Sequence, residues 1–395
     1  MRSFTVGRLF GIPLKLDLTF LLILPVFAWL IGSQVGDSVA ALNAFPAADI
    51  ASEPLHEGAT PWILGGVTAV GLFVGVVLHE LGHSLVAMRF GFPIDSITLW
   101  IFGGIAHLTE QPEDWKQELT IAIAGPIVSI AIGVVTYVAF VAVPEGIPTV
   151  RFVFGYLALL NLVLAAFNLL PGFPMDGGRI LRALLNRTRP YARATEIAAE
   201  VGKLFAILLG LFGLFNFNII LIGIAFFIYI GATSEAQQTV MNAAFQDVRV
   251  RDVMTTADDL DTVPPDASIA ELMETMFRER HTGYPVVEGG DLVGMVTLDD
   301  ARQVPEVERD AYTVRDVMAT DLQTIAADDE AMSALEKLQQ HGIGRLPVID
   351  ARGELTGIIS RTDLMTAFDI IQKSGRVERL TSAQQPARET EQPSR

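Results

Sequence analysis

From Ile63 to Leu78, sixteen consecutive residues carry no charged side chain. Apolar runs of this kind fill the first half of the chain, near 16–36, 61–88, 118–143, 152–170, 201–216 and 218–233. An α-helix needs about 20 such residues to cross the ~30 Å hydrocarbon core of a bilayer. Inside lipid, backbone N–H and C=O groups must be paired within the segment, which restricts these runs to helices. Six crossings are therefore expected, the last two joined by the short link "NFN". Composition agrees, since 51% of residues are hydrophobic, above the usual globular share. The first run also reads as a signal peptide, with Arg2 and Arg8 before it and "SVA" at 38–40 as a cleavage site.

Loop charges give an orientation. Arg2, Arg8 and Lys15 lie at the N-terminus, and Arg179, Arg182, Arg187, Arg189, Arg193 and Lys203 fall within 171–203. The segment 37–60 has no Lys or Arg, only Asp37, Asp49, Glu53 and Glu57. By the positive-inside rule the N-terminus and 171–203 are cytoplasmic and 37–60 is outside. Six crossings then return residues beyond 235 to the cytoplasm. The expectation is a multi-pass protein of the cell (plasma) membrane. Arg151 lies in a predicted outer loop, against the trend.

The second half has a different character. Of 45 acidic residues, 29 fall in 246–395, against 16 of 28 basic ones. Such a surface repels nucleic acid, which is not an expected partner. The chain has no cysteine, so disulfides and thiolate metal sites are excluded. "VRDVM" occurs at 250–254 and 314–318, and "GYPVVEGGDLVGMVTLDD" at 283–300 resembles "RLPVIDARGELTGIISRTD" at 345–363. Each copy reads as a short strand, an amphipathic helix, two strands and a closing helix. An α+β unit of roughly 60 residues needs its neighbour to complete a core. The polar tail 374–395 is expected to be disordered.

Chemistry enters at "HELGH", 79–83, directly after the uncharged run. Residues four apart share one helix face, so His79 and His83 present two imidazoles to one tetrahedral metal ion. Glu80 lies next to the first, as the general base for a water molecule at the metal. A charge at bilayer depth costs roughly 2.5–3.5 kcal/mol on insertion scales, so these residues are expected to be paired or ligating. A hydrolytic zinc needs a third protein ligand. Asp176 is the first candidate, in the Pro- and Gly-rich "NLLPGFPMDGG" of 168–178, where it reads either as a ligand or as the N-cap of a helix beginning near Gly178. His107, in the loop after the second helix, is the other.

The pair "HELGH" and "NLLPGFPMDGG" resembles the site-2 protease family of intramembrane zinc metalloproteases over residues 1–235. That resemblance implies one Zn²⁺ held by His79, His83 and Asp176, with Glu80 as catalytic acid and base. It matches Asn168 to an asparagine eight residues before the ligating aspartate, a candidate oxyanion donor whose alternative is an interhelical hydrogen bond. "LWIFGGIA", 99–106, resembles the family's substrate-contacting strand, and "AGP" at 124–126 also fits. The implied substrate is a transmembrane segment of another protein in the lipid bilayer, unwound locally before cleavage.

The doubled unit resembles a pair of cystathionine-β-synthase (CBS) domains, at 247–304 and 311–370. The fold expected is thus an α-helical polytopic membrane domain of six transmembrane helices followed by an α+β tandem CBS pair. The CBS family implies an adenine nucleotide (ATP, ADP or AMP) between the copies and, in many members, homodimerisation. Thr297 and Ser360 suit phosphate at the first turn of the closing helices, Asp300 and Asp363 suit ribose hydroxyls, and Arg361 and Arg345 suit phosphate. Ser/Thr-x-x-Asp also makes a capping box. The competing functions are a catalytically silent scaffold and a transporter-like protein with a CBS sensor. The absence of cysteine lets single cysteines report sidedness. A cysteine replacing Glu53 is expected to react with an impermeant maleimide on intact cells, and one replacing Arg187 only after permeabilisation; the opposite pattern overturns the orientation.

Overall fold

The computed structural model describes residues 3–45, 49–101, 103–108, 112 and 114–373. The tail 374–395, for which disorder is expected, lies outside the described residues. Two compact units divide between Gln237 and Gln238.

The first unit opens on a hairpin, β1 (Ser3–Leu9) and β2 (Ile12–Asp17), turned by Phe10 and Gly11, both at positive φ. Asp17 caps α1 (Leu18–Ser33), accepting hydrogen bonds from the backbone and hydroxyl of Thr19. A break at Gln34 bends the chain by 65° into α2 (Val35–Asn43). The run expected as one helix is thus two, because Gln34 leaves the helical region. The Asn43 side chain accepts from the Ile50 N–H and donates to its carbonyl. The long α3 (Thr60–Arg89) follows, then the hairpin β3 (Ile94–Trp100) and β4 (Gly103–Leu108). The four strands form one sheet in the order β1-β2-β3-β4, with β2 and β3 parallel. Its inner residues Ile12, Ile97 and Leu99 pack on Phe73, Val77 and Leu81 of α3. This sheet places His107 on an exposed strand position, not in a loop.

Helices α4 (Trp115–Ala142) and α5 (Pro148–Asn168) make the largest helix contact and flank α3. Arg151 is buried in the first turn of α5 with its guanidinium 4.9 Å from the Phe140 ring, so the outer loop assigned to it is helix. After an irregular turn come α6 (Asp176–Asn186), α7 (Tyr191–Phe215) and α8 (Ile219–Phe245). The start of α7 lies ten residues before the expected one. Its alanines at 192, 194, 198 and 199 are buried, while Arg193, Glu196 and Lys203 fall on the more open side. Among the described residues five helices, α3, α4, α5, α7 and α8, are long and apolar enough to cross a membrane, or six spans if α1 and α2 count as one.

The second unit contains β5 (Thr255–Thr256), α9 (Ile269–Glu279), β6 (Gly283–Glu288), β7 (Asp291–Thr297) and α10 (Leu298–Arg302). It continues through α11 (Val314–Val317), β8 (Ile325–Ala326), α12 (Ala331–Gln340), β9 (Arg345–Ile349), β10 (Leu355–Ser360) and α13 (Arg361–Lys373). The copies exchange their leading segments. The first "VRDVM" packs with the second copy: Val250 joins the core of Leu335, Leu346 and Ile359, and β5 pairs with β10. The second "VRDVM" packs with the first copy, Val314 lying with Ile269, Tyr284 and Val296 and Ala319 bridging to Met295. The short units thus complete each other's apolar cores, as their length requires, and they do so by exchanging the repeated segment itself, which sequence spacing assigns to the copy it precedes.

Candidate metal centre

His79 and His83 lie one turn apart on α3, both buried and facing α4. The Nδ1–H of His83 donates to the Ile121 carbonyl of α4 at 2.7 Å. A carbonyl only accepts, so the proton of a neutral ring sits on Nδ1 and Nε2 carries a free electron pair. Nδ1 of His79 is 2.9 Å from Ser129 Oγ, two turns further along the same helix. Both rings therefore turn Nε2 inward, and the two Nε2 atoms are 3.2 Å apart.

Asp176 completes the cluster from α6. Its Oδ2 is 3.1 Å from each of the two Nε2 atoms. Met175, not Asp176, is the N-cap of α6, and its side chain makes no cap hydrogen bond, so the capping alternative for Asp176 is not what this helix uses. The turn ahead of it stays paired while irregular: Gly172 N–H donates to Leu170, Met175 to Gly172 and Gly178 to Met175. Phe173 of that turn is packed against Ala198, Ala199 and Ala232 of α7 and α8.

The donor set fits a metal ion. A tetrahedral Zn²⁺ with bonds of about 2.0 Å separates its ligand atoms by about 3.3 Å, close to the spacings above. These three residues are the one group of potential ligands that meets among the described residues. Room for the rings comes from Gly125 of α4. A Cβ there would lie 2.2 Å from His83 Nε2 and 2.7 Å from His79 Nε2. Glu80 is half-buried beside the cluster, its Cγ against the backbone of β4; a Cβ on Gly104 would lie 2.5 Å from it. Asn168 is half-buried at the last residue of α5, and among the described residues its side chain makes no hydrogen bond. His107 faces outward, apart from the three.

In the second unit, Asp300 Oδ2 accepts from the Thr297 N–H at 2.8 Å and its hydroxyl at 2.6 Å, while Asp300 N–H donates to Thr297 Oγ1. Ser360 and Asp363 repeat the arrangement at 2.9 and 2.7 Å. Both motifs are capping boxes whose aspartates keep Oδ1 outside these bonds. Arg361 donates to the Leu338 carbonyl, and Arg345 to the Thr282 hydroxyl.

Sequence reasoning did not find Ser129 or Ile121, nor the reason for Gly125. No short-range spacing connects α4 to the histidines.

The chain matches the family model of peptidase family M50 over residues 67–147 and 145–209, and that of the CBS domain over 250–306 and 314–370. It is 37% identical to zinc metalloprotease MJ0392 of Methanocaldococcus jannaschii, over 94% of this chain and 97% of that protein. Among solved structures, the site-2 protease from M. jannaschii is 40% identical over 60% of this chain and 95% of that chain, with a TM-score of 0.42. CBSX2 in complex with AMP is 28% identical over 31% of this chain and 98% of that chain, with a TM-score of 0.29.

Gly125→Ala is expected to force His83 from its place. Metal analysis of the folded variant should then show zinc retention reduced at least ~10-fold in competition with a chelator.

Proposed function

The chain belongs to the site-2 protease group of zinc metalloproteases, peptidase family M50, with a C-terminal CBS pair, and from this we propose that it hydrolyses peptide bonds within transmembrane segments of membrane-protein substrates. The observation that carries the reading is the meeting of His79, His83 and Asp176 beside Glu80 on a helix long enough to cross the bilayer.

In this reading His79, His83 and Asp176 hold the zinc. When bound, Zn²⁺ supplies Lewis acidity that polarises the scissile carbonyl and makes water acidic near neutral pH. Glu80 takes a proton from the attacking water as the C–O bond forms. It returns that proton to the amine nitrogen as the C–N bond breaks. Asn168, whose amide makes no hydrogen bond among the described residues, donates to the oxygen that gains negative charge.

Substrate binding follows from the sheet. β4 is an edge strand, its backbone adjacent to Glu80. An edge offers unpaired N–H and C=O groups to an extended peptide. A transmembrane helix hides its peptide bonds in its own hydrogen bonds, so it must unwind first, and pairing with β4 replaces what unwinding removes. The cytoplasmic assignment of the N-terminus and CBS pair rests on loop charge.

The CBS pair is the proposed sensor of an adenine nucleotide. The support is the doubled Gly-h-h-Ser/Thr-x-x-Asp motif and its geometry. Each closing helix presents its N-terminus and a Thr297 or Ser360 hydroxyl to phosphate, and Asp300 or Asp363 Oδ1 to ribose.

Glu80→Gln is expected to keep zinc but cut the cleavage rate of a tagged single-pass substrate by about 10²–10⁴-fold. Cleavage at the normal rate with zinc retained overturns the role of Glu80. For the sensor, calorimetry of the full chain with AMP and with ATP should show saturable binding weakened by Asp363→Ala. Absence of binding by both nucleotides removes the regulatory reading.

A further inference from the structure

Just beyond the metal centre lies a second buried polar cluster that the hydrolytic reading does not use. Arg182 of α6 is 3% exposed and Glu118 of α4 is 1% exposed. Two guanidinium nitrogens, Nε at 2.7 Å and Nη2 at 2.6 Å, meet Glu118 Oε1. Nη1 donates to Glu235 Oε1 of α8 at 2.6 Å. The guanidinium carbon is 4.9 Å from the ring of Phe173, in the turn before α6, and 4.8 Å from that of Tyr191, which opens α7. One side chain thus touches α4, α7, α8 and the turn, from its base on α6.

Two of these partners, Glu118 and Phe173, lie close in the chain to groups that face or hold the cluster. Glu118 is one turn before Ile121, whose carbonyl holds His83. Phe173 precedes Asp176 by three residues. Arg182 follows it by six, about 9 Å along α6. A buried ion pair is a poor source of net stability, since desolvation offsets much of the attraction. What it supplies is direction. Two carboxylates from different helices locate a planar guanidinium in a way that apolar packing does not. Ligand atoms tolerate displacements of only about 0.2 Å, so a helix carrying one ligand must be kept from sliding against the helices that hold the others. Glu118 Oε2 has no partner among the described residues, a cost accepted in a site where both nitrogens are devoted to Oε1.

We propose that Arg182 is a positioning residue: clamped by Glu118 and Glu235, it fixes α6 and its preceding turn against α4 so that Asp176 Oδ2 meets both imidazoles. The proposal rests on reading His79, His83 and Asp176 as metal ligands.

The test uses the full chain in detergent. Zinc affinity is measured by chelator competition, the visible spectrum after Co²⁺ substitution reports ligand geometry, and thermal unfolding reports stability. Arg182→Met is expected to weaken zinc binding about 10–100-fold, the range for removing outer supports of a metal ligand, and to alter the Co²⁺ spectrum. Arg182→Lys, which keeps charge but not the planar fork, should recover part of both. A folded Arg182→Met that binds zinc within twofold of the unaltered chain, with an unchanged spectrum, overturns the proposal. If Arg182→Met does not fold, Glu235→Gln decides, because it removes one charge at nearly constant shape. A threefold or greater loss of zinc affinity supports the clamp, and no change overturns it. His79→Ala separates the two readings: if it binds zinc as tightly as the unaltered chain, the ligand assignment itself fails.

Discussion

Two imidazole nitrogens and a carboxylate oxygen stand 3.1–3.2 Å from one another in a buried site, a crowding of electron-rich atoms that a shared cation relieves. Everything else in the membrane unit follows from making that crowding possible. The histidines come from one helix face and the carboxylate from a helix that begins at the aspartate itself. The orientation of each ring is set from outside the cluster, by Ile121 and Ser129 of α4. Proximity of α4 to α3 is thus a condition of the chemistry, and Gly125 allows it at the level where the imidazoles lie.

The second condition is an irregular backbone segment beside this cluster, in a unit whose helices are long and apolar enough to cross a membrane. Such a segment survives only when protein covers it. Here α7 and α8 do so, through alanines closely packed on Phe173. The helices least involved in the cluster therefore serve it by shielding the turn that delivers Asp176. On another flank the sheet brings the backbone of β4, its last strand, against Glu80, the residue proposed above as acid and base.

Some of this was legible in the sequence because its physics is local. An i, i+4 pair of histidines declares a shared helix face, and a Pro- and Gly-rich break after an apolar run declares a turn near a helix end. Ser129 and Glu118 were not legible, since their partners stand 50 and 64 residues away on other helices. The early start of α7 was hidden by its charged residues, which read as loop when counted and as one helix side when placed on a helical period. The parallel pairing of β2 with β3 joins residues some eighty positions apart across the whole of α3, and no turn signal marks it. The family resemblance linked Asp176 to the histidines before any distance did.

The traded leading segments of the CBS pair carry a consequence for how this module can change over time. Val250 fills the second copy and Val314 the first, so neither half is complete alone. A gene cut between the copies would yield two fragments, each missing a buried valine and the stretch of backbone that delivers it. A disturbance at either end of the module also reaches the other copy's interior directly, without crossing a surface between them.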